Sequence, residues 1–148
     1  MSVTIRPVTV SDFFNWLELY ADYAKFYDTD LTDEKALLLW SWLVDGDHEE
    51  NGIVAVDDDD TLLGLAHYRE FARPLETDRG LYLDDLFVAE KARGNGTGRA
   101  LIQAVKDEAL KRELGVVQWI TAADNETAQH LYDEVGTRTQ WVTYEIEL

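Results

Sequence analysis

Three glycines in five residues, Gly94, Gly96 and Gly98, lie between Arg93 and Arg99, with Asn95 and Thr97 in the gaps. Glycine lets the backbone take conformations that a side chain forbids, and it lets a ligand come close to the main chain. Just before this run stands Leu81-Tyr82-Leu83-Asp84-Asp85-Leu86-Phe87-Val88, rich in strand formers and interrupted by two carboxylates. Just after it, apolar residues recur at helical spacing from Ala100 and Leu101 onward. A helix opening there presents unpaired N–H groups and a partial positive charge at its mouth. Strand, glycine turn and helix N-terminus together make an anion site suited to a phosphate or pyrophosphate. The spacing separates this turn from two common phosphate loops. A G-x-x-x-x-G-K-[ST] loop needs a lysine after its last glycine, and Arg99 follows Gly98. A G-x-G-x-x-G fingerprint needs glycine three positions after Gly96, and that position is again Arg99.

The pattern that does fit is R-x-x-G-x-G, Arg93 through Gly98. It resembles the acyl-CoA signature of the GNAT superfamily of N-acetyltransferases, as does the strand Leu83 to Val88 before it. A second segment, Asn125, Ala128 and Leu131-Tyr132 in DNETAQHLYDEVG, is similar to the N-x-x-A-x-x-L-Y-x-x-x-G segment of the same enzymes. The two matches span Leu81 to Gly136. The resemblance implies acetyl-CoA as cosubstrate, held by Leu86, Phe87 and Val88 at the strand end, by Arg93, Gly94, Asn95, Gly96, Thr97, Gly98 and Arg99 in the turn, and by Asn125. Asn125 could equally be a helix cap. Tyr132 matches the tyrosine that serves many GNAT enzymes as general acid toward the sulfur, with a core tyrosine as the alternative.

The two carboxylates have different expected roles. On a regular strand Asp84 and Asp85 cannot face the same way. The strand resembles L-E-D-x-F-V of the spermidine/spermine N-acetyltransferases, which sets Asp84 where that branch has a proton-accepting Glu. Asp85 reads as a structural acceptor. Tyr23, Phe26, Tyr27 and Trp40 are candidates for the acceptor pocket, since aromatic faces can hold a cation. His67 could face that pocket or be a satisfied structural histidine. His48 and His130 read as surface residues, and three scattered histidines make no metal site.

These residues need elements to position them. Ser2 to Val8 reads as a strand closed by Pro7. Ser11-Asp12 starts a helix carrying Phe13, Trp16, Leu17, Tyr20, Tyr23 and Tyr27 at helical spacing. A second helix runs from about Thr32 to Leu43. Asp45 to Asn51 reads as a polar loop, Gly52 to Val56 and Thr61 to Tyr68 as strands joined by Asp57-Asp58-Asp59-Asp60, and Glu70 to Arg79 as a polar loop. Val116 to Thr121 reads as a buried strand, and the alternation in Trp141 to Leu148 predicts one or two terminal strands. The expected fold is a single α+β (mixed α/β) GNAT domain over residues 1–148. Its sheet is mixed and mostly antiparallel, with six to seven strands, flanked by about four helices.

Composition bounds the function. The 148 residues carry 30 acidic and 13 basic side chains, a net charge of −17. That balance argues against nucleic acid and against anionic membrane surfaces. It suits a cationic small substrate concentrated by a negative field, or simply solubility and adaptation to salt. With no cysteine, disulfides and thiolate metal sites are excluded. No apolar run is long enough to span a bilayer, and MSVTIRPVTV lacks the pattern of a signal peptide, so a cytoplasmic enzyme is expected. The resemblance implies a small-molecule amine acceptor, a polyamine or diamine among the options, no metal, and a homodimer. The alternatives are acetylation of a protein, peptide or aminoglycoside, and a non-catalytic acyl-CoA-binding module.

Overall fold

A computed structural model describes residues 2–148. Five strands form one mixed sheet in the order β1 (Thr4–Pro7), β2 (Glu50–Val56), β3 (Leu62–Arg73), β4 (Asp78–Val88), β5 (Val117–Gln118). The first three pairings are antiparallel and the last, β4 with β5, is parallel. Helices α1 (Phe13–Phe26) and α2 (Asp33–Val44) enter between β1 and β2. Helix α3 (Thr97–Lys111) crosses over between β4 and β5, and α4 (Glu126–Val135) follows β5.

The sheet separates two apolar layers. Trp16, Leu19, Trp40 and Leu43 of α1 and α2 pack on Val54, Leu65 and Phe87. Leu101, Ile102, Val105 and Ala109 of α3 pack on Ile53, Ala66, Leu81 and Leu83 from the opposite face. The period-2 alternation of β2 and the three-to-four spacing of α3 make this sorting possible. Along α1, Trp16, Tyr20, Tyr23 and Tyr27 fall on one stripe and touch ring to ring, with centroids 5.1, 5.5 and 5.0 Å apart. Helix α2 starts at Thr32, whose side chain accepts from the Lys35 N–H at 3.2 Å, while Asp33 and Glu34 meet the positive end of the helix. Arg6 clamps Asp12 through two hydrogen bonds of 2.7 and 2.9 Å and so ties β1 to the start of α1.

Several boundaries differ from the sequence reading. The sheet has five strands where six to seven were expected, because residues 137–148 lie in no strand and are largely exposed. The fifth strand is two half-exposed residues, not a buried run over Val116 to Thr121, since β4 turns away from it after Tyr82. Most of the expected loop at Glu70 to Arg79 is hairpin. Strands β3 and β4 stay paired out to Arg73 and Asp78, whose side chains make two 2.7 Å bonds, and only residues 74–77 turn. Glu50 and Asn51, read as loop, open β2.

Candidate active site

Strand β4 carries one residue more than β3 requires. Leu83 pairs with Tyr68 and Asp85 pairs with His67, so Asp84 has no partner and forms a β-bulge. The bulge shifts the phase of the strand. Leu83 and Leu86 face the α3 layer, while Asp84, Asp85 and Phe87 face α1 and α2. The expectation that the two carboxylates point apart is therefore corrected: both line the same cavity.

Their surroundings differ. Asp85 accepts from the Tyr20 hydroxyl at 3.0 Å and is 2.8 Å from His67 Nδ1. Trp16 Nε1 donates to His67 Nε2 at 3.0 Å. An indole can only donate, so Nε2 carries the lone pair and Nδ1–H is left to donate to Asp85. Burial opposes charge on Asp85, but hydrogen bonds from His67, Tyr23 and Tyr20 outweigh it and hold the carboxyl below its usual range. The same contact and burial push the Tyr20 and Tyr23 phenols up. Asp84 receives Arg69 Nε between its two oxygens, 3.3 Å from Oδ1 and 3.2 Å from Oδ2, and Oδ2 is shielded from solvent with no well-directed hydrogen bond among the described residues.

The cavity lies between α1, α2 and the sheet and has a volume of about 620 Å³. Tyr20, Tyr23 and Tyr27 form one wall, Leu38, Leu39 and Trp42 another, and Glu50, Asp84 and Asp85 provide acidity. Of the aromatic candidates, Tyr23 and Tyr27 line it. Phe26 does not: it is exposed at the end of α1 with its ring edge-on to Tyr27. Trp40 is buried against Trp16 and Phe13, and its neighbour Trp42 takes the wall. His67 is fully buried beneath Tyr20 and Trp16, so it supports the site without facing the cavity.

Glu50 was missed by sequence reasoning, as were Tyr20 and Arg69. The signal for Glu50 was present: it stands two and four residues before Gly52 and Val54 on the face that packs under α2. Burial first, and then the neighbouring Asp84 carboxyl, push the Glu50 carboxyl up to about 8.

On the other side of β4, β5 pairs only with Leu81 and Tyr82, so Leu83 to Val88 have no strand partner on that edge among the described residues. Gly94 and Gly96 have φ of +82° and +81°, which explains glycine at both positions, and a Cβ at either would meet nothing within 4 Å. Gly96 caps α3, whose first intrahelical bond is Ala100 N–H to Gly96 C=O at 2.9 Å. The N–H groups of Thr97, Gly98 and Arg99 stand ahead of it and have no intrahelical partner. Arg93 donates to Val88 C=O at 3.1 Å and lies over the Phe87 ring, and Arg99 pairs with Glu134. Asn125 caps α4 by accepting from Ala128 N–H at 3.3 Å. Tyr132 packs edge-on against Trp119, and burial, with Tyr27 nearby, pushes its phenol up to about 12.

Residues 14–137 match the family described as Acetyltransferase (GNAT) family. The chain belongs to the GNAT family. The D-amino-acid N-acetyltransferase HPA3 of Saccharomyces cerevisiae is 29% identical over 143 residues, covering 96% of this chain and 89% of its own. The L-ornithine N5-acetyltransferase NATA1 of Arabidopsis thaliana is 35% identical over 60 residues, 40% of this chain and 26% of its own. A solved probable acetyltransferase superposes with a TM-score of 0.86 at 24% identity, covering 100% of this chain and 98% of its own. The aminoglycoside enzyme AAC(6')-Iy, solved with a CoA bisubstrate analog, superposes at 0.85 with 16% identity and shares the fold over 100% and 99% of the two chains. This GNAT protein is an acetyl-CoA-dependent N-acetyltransferase. Its free helix N-terminus, open glycine turn and unpaired β4 edge fit a pyrophosphate with an extended arm.

Proposed function

We propose that this GNAT enzyme acetylates a primary amine on a small cationic molecule. The observation that carries the reading is the acidic floor of the cavity, where Glu50, Asp84 and Asp85 meet below a wall of tyrosines. A negative floor with aromatic sides attracts and orients an ammonium group. The amine nitrogen attacks the thioester carbonyl directly, so the protein must align the two substrates, take a proton from the ammonium and return one to the departing sulfur. Asp84 lies at the floor and takes part in amine recognition. Tyr132 is held as a neutral phenol and supplies the proton to sulfur. The turn from Arg93 to Arg99 holds the pyrophosphate, and Leu86 to Val88 align the arm of the donor through their main chain.

A diamine or polyamine and a basic amino acid both satisfy this floor. The second is favoured by the relatives, whose names specify a D-amino acid and the N5 of ornithine. Arg69, paired with Asp84, and Lys35, which lines the same cavity, are the cations available to an α-carboxylate. A cytoplasmic location accords with acetyl-CoA as donor. A homodimer is supported by the alternating segment 137–148, which leaves Trp141, Val142, Tyr144 and Ile146 largely exposed. A screen with acetyl-CoA, reading free thiol, tests the acceptor. Diamines, ornithine and lysine should turn over well ahead of neutral and acidic amines. Equal turnover of glutamate and ornithine would overturn the proposal.

A further inference from the structure

We infer that Glu50 is a catalytic residue: its carboxylate takes the proton from the bound ammonium, working as a pair with Asp84. The inference deepens the acceptor reading above and rests on it. Three observations lead to it. Glu50 and Asp84 line the same cavity. Glu50 Oε2 is shielded from solvent and has no hydrogen-bond partner among the described residues, and Asp84 Oδ2, equally shielded, has only the Arg69 guanidinium beside it, with Nε at 3.2 Å. One proton between the two carboxyls would satisfy both. The main chain holds Glu50 in place, since Glu50 pairs with Arg69 across β2 and β3 and its N–H donates to His48 Nδ1 at 3.0 Å.

The charged groups around the pair decide which carboxyl gives way. On β4, Asp84 and Asp85 both oppose a charge on Glu50, and Tyr20 of α1 offers only a neutral phenol. On β3, Arg69 favours charge but is engaged with Asp84. Lys35 of α2 also lines the cavity, where it donates to the Asp30 carbonyl at 3.3 Å. Glu50 is therefore the member that holds the proton. The shift matches the task. An alkylammonium has a pKa of about 10.4, and an ordinary Glu of about 4.3 is roughly six units too weak to deprotonate it. A carboxyl raised to about 8 reduces that gap to between two and three units.

The proton balance closes. Glutamate at Glu50 takes H⁺ from R–NH₃⁺, leaving R–NH₂ and a neutral Glu50. The nitrogen lone pair forms the N–C bond, and the C–S bond breaks with its electrons to sulfur. The Tyr132 O–H protonates the sulfur, and the second nitrogen proton restores the phenol. Glu50 then releases its proton to solvent.

The test has two arms. In the first, kcat/KM for the best cationic amine is followed from pH 6 to 10. Wild type should rise and level off near 8, where Glu50 becomes charged. Glu50→Gln should be slower by about 10²-fold at pH 8 and should keep rising toward the amine's own pKa of about 10.4, since only the free amine can then react. Superimposable profiles would overturn the inference. The second arm uses neither substrate, so it stands apart from the choice of acceptor. The carboxyl carbon of Glu50, assigned by its loss in Glu50→Gln, is titrated by NMR in wild type and Asp84→Asn. Titration near 8 that falls in Asp84→Asn supports the shared proton, and titration of wild type near 4.3 overturns it. Failure of wild type to turn over any cationic amine would count against the acceptor reading, while the carboxyl titration still decides the pair.

Discussion

Each reacting group is set by what touches it. Asp85 and Asp84 are neighbours in sequence, yet one is saturated by His67, Tyr20 and Tyr23 while the other is paired only with Arg69 and shares its cavity with Glu50. Burial disfavours the phenolate of Tyr132 and pushes the phenol up to about 12, so it stays protonated into strongly alkaline solution. Tyr132→Phe should fold and bind acetyl-CoA as wild type does, since the ring against Trp119 remains. Its kcat should fall by about 10² or more if sulfur protonation limits turnover. Steady-state kinetics with both substrates varied is the measurement, and a change confined to KM would instead assign Tyr132 to binding. The sequence singled out Asp84 and Tyr132 as candidates through local motifs. It passed over Glu50, because Asp45 to Asn51 reads as a polar loop and only the fold sets Glu50 in the cavity with Asp84, 34 positions away.

At the scale of elements, the strand-turn-helix unit around the glycines was legible because its signals are local: period-2 apolar residues, required glycines and a helix pattern. The Thr32 and Asn125 caps were readable for the same reason. The bulge was not, since alternation alone gives no count of residues in the partner strand. Gly96 tests the unit. Its φ of +81° disfavours any β-branched residue, at a cost of ~1–2 kcal/mol. Gly96→Val should therefore lower Tm by a few degrees, in line with ~2–4 °C per kcal/mol for a chain of this size. Acetyl-CoA affinity should weaken by tenfold or more, because the side chain stands where the pyrophosphate approaches. Calorimetric titration beside a melting curve separates the two effects, and unchanged affinity in the folded variant would move the pyrophosphate elsewhere.

At the scale of the molecule, the sheet divides the work between its two faces. The α3 layer supports the glycine turn, and the α1–α2 layer encloses the acidic cavity. The far end of the chain departs from its sequence pattern. Residues 141–148 alternate as a strand should, but nothing in the described fold pairs with them. An alternating run finds a use only against another edge. Light scattering should give the mass of two chains for the full protein and of one chain after removal of residues 140–148. An intact protein with the mass of one chain would dismiss the dimer. The bulge at Asp84 carries a consequence for how such an enzyme can diverge. Loss of that one residue would restore regular pairing between β3 and β4, leaving Asp85 opposite His67 and Leu83 opposite Tyr68. Both apolar layers would keep their partners. A single codon deletion or insertion at this point is thus a step by which a lineage can drop or gain an acid in its active site without rebuilding its core.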